Sequence, residues 1–174
     1  MGFKAEIAYE FEDFLRWNKV YGKTENRKRS IAMKVFFAVM LLIFAGCMVF
    51  LIIIDELNST MIVGGVFVAL AVIVMLFKDR LNAKVSQKQF VNGLGTEYIC
   101  FDEEAISVKN NKAEGKNYYS GIYAVYADNE RFYLLLDKRH ALILPKKCIT
   151  EGDPESFAGF ISEKTGLEVK FVKC

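Results

Sequence analysis

His140 is the only histidine in the chain, and it stands in a charged turn beside Lys138 and Arg139. A histidine acts as a general base only when a partner orients it and a nucleophile lies within reach. No serine–histidine–acid set can be assembled around His140, so it reads as a solvated turn residue. Asp102, Glu103 and Glu104 place three carboxylates in a row. Oxygen ligands of that kind can hold a hard cation weakly, but a solvated turn is the expected use. Lys146 and Lys147 follow Pro145. They could contact phosphates or form the polar end of a strand, and the strand end is expected. Tyr118, Tyr119, Tyr123, Tyr126 and Tyr133 read as sheet packing rather than a ligand cage. The sequence has no glycine-rich phosphate loop. Cys47, Cys100, Cys148 and Cys174 contain no C-x-x-C pair and no Cys/His ligand spacing. The expectation is therefore a chain with no catalytic residue, no metal and no cofactor.

What must position these residues is dominated by two apolar runs, Val35 to Ile54 and Met61 to Phe77. A helix crossing the bilayer core needs roughly 17–25 apolar residues. Both runs qualify, with Asp55 and Glu56 in the short connection at 55–60. The runs carry no ionisable residue beyond Lys34 and Lys78 at their ends, which argues against a polar transport pathway. Charge is distributed unevenly around them. Residues 19–34 carry net +5, residues 78–92 net +3, and the connection net −2. Lys and Arg near span ends mark the cytoplasmic side. The sequence thus predicts a transmembrane hairpin with its connection outside and both termini cytoplasmic. Cys100, Cys148 and Cys174 then stay reduced.

Arg27, Lys28, Arg29, Lys34, Lys78, Arg80 and Lys84 are expected at the inner-leaflet headgroups, as a generic electrostatic contact with anionic lipid. Nucleic acid is excluded as a partner, because topology already explains the basic flanks and residues from Gly93 on are net −2. Gly65 and Ala69 have small-xxx-small spacing, which suits packing of the hairpin on itself or, less expectedly, a homo-oligomer face. No cleavable signal is evident. Glu6 defeats a myristoylation motif at Gly2. Phe44 defeats a lipoprotein box ending at Cys47.

The remaining segments read as α+β. Phe3 to Tyr9 alternates with period two, as a short strand does. Phe11, Phe14, Leu15, Val20 and Tyr21 follow helical spacing, with Glu10, Glu12 and Asp13 in the first turn, where the dipole favours acids. Trp17 on this helix suits a membrane interface or packing on the soluble domain equally. Residues 1–29 thus form a strand and an amphipathic helix, 30–77 the hairpin, and 78–95 a linker helix stopped by Gly93 and Gly95. Residues 96–174 form a domain. Its predicted strands are Tyr98–Phe101, Ala105–Lys109, Tyr118–Ala127, Phe132–Leu136 and Ala141–Leu144, with Asn110–Lys116 a polar loop. Asp153 and Pro154 open a helix with Phe157, Phe160 and Ile161 as its buried stripe and Gly166 as its stop. Leu167–Phe171 adds a last short strand. The sum is a small antiparallel sheet closed by a C-terminal helix. Phe3–Tyr9 is too short to stand alone and is expected to pair with an edge of that sheet, the alternative being a frayed or interfacial tail.

The stretch Tyr118 to Tyr126, then Phe132 to Leu136, then Ala141 to Lys147 with its aliphatic-Pro-Lys segment, then a helix with Phe157 and Phe160, resembles the YcxB-like family of bacterial membrane proteins. The chain departs from many members in having Tyr118 and Tyr119 where they have Trp. The resemblance implies a bacterial cytoplasmic membrane protein with an N-terminal strand and helix, two spans, and a C-terminal domain of pleckstrin-homology (PH)-like type. It implies no established activity. Two functions fit this architecture. One is a non-enzymatic binding or regulatory module presenting the PH-like domain to a protein or peptide partner. The other is a structural or accessory subunit of a membrane complex, of the transporter-accessory or bacteriocin-immunity kind.

Overall fold

The computed structural model describes residues 2–53, 59–91, 95–138 and 140–173. Asp55, Glu56, Gly93, Arg139 and Cys174 lie outside the described residues. The chain divides into two compact units. One joins Met1–Val20 to Asn82–Cys174, and the other is Tyr21–Leu81.

The elements run β1 (Phe3–Ile7), α1 (Phe11–Lys23), α2 (Arg27–Ile53) and α3 (Ser59–Val91). They continue with β2 (Glu97–Phe101), β3 (Ala105–Lys109), β4 (Glu114–Tyr118), β5 (Ala124–Ala127), β6 (Arg131–Leu135), β7 (Ala141–Pro145), β8 (Ile149–Glu151), α4 (Phe157–Thr165) and β9 (Val169–Phe171). The class is α+β, with helices and largely antiparallel sheets.

Five strands form one sheet in the order β4-β3-β2-β1-β8, and four form a second in the order β7-β6-β5-β9. The pairing expected for the N-terminal segment is present, but not at an edge. Strand β1 lies between β2, in register Phe3↔Phe101 through Ile7↔Glu97, and β8. Its alternation explains the placement. Phe3, Ala5 and Ile7 are buried, and Lys4 and Glu6 face solvent, so one face enters a core while the other stays wet. Two neighbours were available because Ile149–Glu151, which sequence alone does not mark as a strand, supplies β8.

The first core lies between the two sheets and α4. It contains Phe3, Ile7, Ile99, Phe101, Ile106, Val125, Phe132, Leu134, Leu144, Phe157 and Ile161. Phe157 is its centre: its ring meets Phe3 at 5.1 Å, Phe101 at 4.9 Å and Phe132 at 4.9 Å between centroids, in edge-on or tilted geometry. The second core lies on the other face of the four-stranded sheet, where Tyr126, Tyr133, Leu135 and Ile143 meet Phe14, Leu15 and Val20 of α1 and Ala83. Burial on both faces is why β6 is buried throughout and its apolar run does not alternate.

Four sequence-based expectations change. Tyr118–Ala127 is two strands separated by a 3₁₀ turn at Tyr119–Gly121. The expected loop 110–116 already contains the start of β4, which pairs with β3 from Ala105↔Tyr118 to Lys109↔Glu114. The last strand β9 pairs with β5 in parallel, not antiparallel. The C-terminal helix begins at Phe157, not at Pro154 with Asp153 as its cap: residues 153–156 form a turn in which Ser156 Oγ donates to the Asp153 carbonyl at 2.8 Å. Gly166 closes it at φ 68°. Gly152, at φ 97°, has no alternative: an added Cβ would lie 2.3 Å from Phe3 Cδ1.

Within the second unit α2 and α3 run side by side. An added Cβ on Gly64 or Gly65 would meet the Phe44 ring at 3.6 or 3.5 Å. Phe36, Phe37, Met40 and Leu41 face Phe67, Val68, Ala71 and Val72 across a shallow apolar groove. Pairing of 44 with 64–65 and of 36–41 with 67–72 is antiparallel.

Candidate functional site

A long, exposed apolar surface is carried by α2. Arg27–Phe50 spans 24 residues at mean hydropathy 2.4, with none of its most apolar stretch buried. At about 1.5 Å per residue this is roughly 36 Å, enough for a hydrocarbon core of about 30 Å. Phe36 is 60% exposed, Leu42 73% and Phe50 62%. Soluble proteins rarely leave so continuous an apolar strip in water. Among the described residues this is the one helix long and apolar enough to cross a membrane. The second expected span, Met61–Phe77, lies within α3, whose side chains are described from Val63 onward. Val66, Phe67, Leu70, Ile73, Val74, Leu76 and Phe77 are exposed there too.

The basic residues expected at headgroups fall at the ends of these runs. Arg27, Lys28 and Arg29 form the first turn of α2, and Lys34 lies one to two turns further on. Lys78 and Arg80 follow the apolar part of α3. All are exposed except Lys78, which is half-buried. Lys84 is exposed on the part of α3 that belongs to the first unit. Gly65 lies under Phe44 within the helix pair, whereas Ala69 is exposed. Trp17 stacks on Tyr133, with ring centroids 5.8 Å apart and planes 29° apart. That contact realises the packing half of its two expected roles.

The first unit holds a buried charge cluster that sequence reasoning missed. Asp13 lies in the first turn of α1. Its Oδ2 accepts the backbone N–H of Glu10 at 2.8 Å, and its Oδ1 accepts Arg131 Nε at 2.8 Å. Both side chains are almost wholly buried, at 2% and 5% exposure. Arg131 Nη1 also meets Glu130 Oε2 at 2.7 Å. Burial opposes the guanidinium charge, but the Asp13 and Glu130 carboxylates outweigh it and hold the Arg131 pKa above its ordinary value. Asp128 completes the cluster: Oδ1 accepts the N–H groups of Glu130 and Arg131, and Oδ2 accepts the Tyr133 hydroxyl at 2.8 Å. A polar cleft of about 400 Å³ opens beside it, lined by Arg16, Asp128, Asn129, Glu130, Val172 and Lys173. The available signal was parity. Arg131, Tyr133 and Leu135 share one strand face, and Asp13 is the acid adjacent to Phe14 on the helix that covers that face.

A second buried carboxylate, Glu97, accepts the Tyr9 hydroxyl at 3.2 Å. Burial raises the pKa of Glu97, against hydrogen bonds from Tyr9 and Asn110 that lower it. Tyr119 donates to the Asp102 carbonyl at 2.7 Å, and burial pushes its pKa up to about 12.

The residues first weighed for chemistry are dispersed. His140 Nδ1 meets Asp137 Oδ2 at 2.7 Å in an exposed turn. Lys146 pairs with Glu155 at 3.3 Å and lies over the Phe132 ring. Lys147 pairs with Glu10 at 3.0 Å. Asp102 Oδ1 accepts the Cys100 thiol at 3.2 Å. Tyr119, Tyr126 and Tyr133 are buried in the two cores, and Tyr118 and Tyr123 are exposed. Among the described residues no three acids, histidines or cysteines converge as metal ligands do.

Residues 101–161 match the family model described as YcxB-like protein. This stretch, about a third of the chain, is similar to that family. The matched segment runs from the end of β2 into α4 and contains the Arg131 cluster's strand, the Leu142–Lys146 segment and Phe157. Strand β1 and helices α1 to α3 fall outside it. No curated protein and no solved structure matches the chain.

Proposed function

We propose that this chain is a non-enzymatic, membrane-anchored binding or regulatory module of a bacterial cytoplasmic membrane. In this reading α2 and the apolar part of α3 cross the bilayer as a hairpin. The two-sheet unit is a PH-like domain on the cytoplasmic side, offered to a protein or peptide partner, with anionic lipid at the basic helix ends. One observation carries the reading: the folded sheet unit is assembled from chain on both sides of a long apolar helix whose most apolar stretch has no buried residue. An anchor inserted into the middle of a domain tethers that domain by two strands of chain. It holds the domain at the membrane rather than on a loose tail. The antiparallel contact of Phe44 with Gly64 and Gly65 supports the hairpin, and the YcxB-like match supports the family-level architecture.

Topology is tested by single cysteines in a background without native thiols. A cysteine at Ser59 should react with an impermeant maleimide on intact cells, and one at Asn111 only after lysis. The reverse pattern would remove the arrangement. The partner is sought by crosslinking in native membranes followed by mass spectrometry. A soluble protein or peptide crosslinked to the sheet unit supports the module. Crosslinks confined to the helices of another membrane protein would instead make the chain an accessory subunit.

A further inference from the structure

The five-stranded sheet ends in an edge, β4, whose geometry and charge are self-complementary. In the β3–β4 hairpin the N–H of Asn110 donates to the Ala113 carbonyl at 2.9 Å. That bond points the backbone of the closing pair Asn110/Ala113 inward, while the Ala113 N–H donates to Asn110 Oδ1 at 2.9 Å, and it sets the phase of the ladder. Bonded and non-bonded pairs alternate along an antiparallel ladder. The register Val108↔Gly115 and Ile106↔Asn117 therefore carries the bonds to β3. Glu114, Lys116 and Tyr118 then turn their backbone N–H and C=O groups outward. The β2–β3 hairpin agrees, because Asp102 N–H donates to the Ala105 carbonyl at 3.0 Å and this phase aims Ile106 at β4. Four of the five β4 residues are exposed and the fifth is half-buried. A row of unpaired backbone groups is a template for another strand.

Which strand fits is decided by charge. Two copies of β4 can meet antiparallel about a two-fold axis in several registers that pair the outward residues; the one centred on Asn117 sets Lys116 against Tyr118 and makes no opposite-charge pair. Centred on Lys116, the pairing sets Lys116 against itself, and like charges directly opposite are destabilising. Centred on Gly115, it sets Glu114 of each copy against Lys116 of the other, forming two opposite-charge pairs. Among the described residues Glu114 has only a 3.9 Å ion pair with Lys109, both side chains about two-thirds exposed, so it can take the closer partner. We propose that β4 is a homodimerisation edge, pairing with β4 of a second copy in the Gly115-centred register and joining two five-stranded sheets into one.

The register makes a sharp geometric test. Gly115 would face Gly115 of the second copy as a non-bonded pair, with Cα atoms about 4.5 Å apart. That is within disulfide range. An added Cβ at Gly115 meets nothing within 4 Å, so Gly115→Cys is compatible with the fold. The full chain, with its four native cysteines replaced by alanine or serine, carries Gly115→Cys and is oxidised in membranes with copper phenanthroline. The expected product is a disulfide dimer on a non-reducing gel. Adding Lys116→Glu should cut its rate of formation at least about fivefold, since both cross-strand pairs become repulsive. Adding Glu114→Lys as well should restore it. Accessibility of the thiol to maleimide in each variant reports that the strand is intact. A thiol that is accessible yet forms no dimer, a dimer whose rate ignores the charge reversals, or a crosslink at the mass of a different protein would each overturn the proposal.

Discussion

Cutting the Asp13–Arg131 pair tests whether α1 is locked to the four-stranded sheet by charge or only by its apolar face. Asp13→Ala leaves the Arg131 guanidinium buried, with the exposed Glu130 carboxylate at 2.7 Å as its remaining acid. Breaking a buried pair by removing one partner costs about 3–5 kcal/mol. Glu130 offsets part of this. The lost hydrogen bond to the Glu10 N–H adds about 1 kcal/mol. The expected cost is therefore about 3–4 kcal/mol. Arg131→Ala leaves the Asp13 carboxylate with only that one N–H donor and should cost about 3–5 kcal/mol. The combined Asp13→Ala and Arg131→Met replacement removes both charges and refills the space. It should cost at least about 2 kcal/mol less than the two single changes added together. Trp17 is the only tryptophan and stacks on Tyr133 beside the cluster, so its fluorescence reports unfolding of this unit by urea in detergent. Single changes that cost under about 1 kcal/mol, or costs that add within about 0.5 kcal/mol, would refute the lock.

Ile7→Asp puts a carboxylate where Ile7 has no exposure, between the sheets. It should cost more than about 4 kcal/mol and open the sheet unit to protease in membranes, whereas Glu6→Lys on the wet face should leave digestion unchanged. Reversing Arg27, Lys28 and Arg29 to Glu should invert or impair insertion of α2, read by the same cysteine labelling; normal topology in that triple variant would remove the electrostatic reading of the basic flank. For Glu97 the folded pKa is raised above the ordinary 4.5. The folded state therefore holds its proton more tightly than the unfolded one, and this group's contribution is greatest at low pH and is lost as pH rises through the folded value. Glu97→Gln, which still accepts the Tyr9 hydroxyl, should stabilise the unit at pH 7 relative to pH 5 and flatten that dependence in urea titrations; an unchanged slope would assign the pH dependence elsewhere.

Legibility followed local pattern and failed where partners decided. Phe3–Ile7 could be read because a period of two is visible in five residues, and its need for a sheet followed from its length. That it would be central could not be read, since its second neighbour, Ile149–Glu151, is three residues long and carries one apolar side chain. Glu114–Tyr118 has little strand propensity of its own. The hairpin with Ala105–Lys109 makes it a strand. The parallel placement of Val169–Phe171 depends on where α4 delivers the chain. The apolar runs and their basic ends were plain from composition. The Arg131 cluster was not, because its partners lie on either side of the inserted helices and no local spacing links them.

Strand β1 also sets an order of events during synthesis. Its register partner for Ile7 is Glu97, about ninety residues later, and β8 arrives later still. At about 5–20 residues per second, the first strand waits roughly five to twenty seconds for its nearer partner. Throughout that time the nascent chain holds a short amphipathic segment with both backbone edges open, while the helices are being made. The sheet unit cannot close until α2 and α3 have left the ribosome. Its folding thus follows completion of both helices. A chain truncated within the helices would leave β1 without either neighbour, exposed to chaperones and proteases.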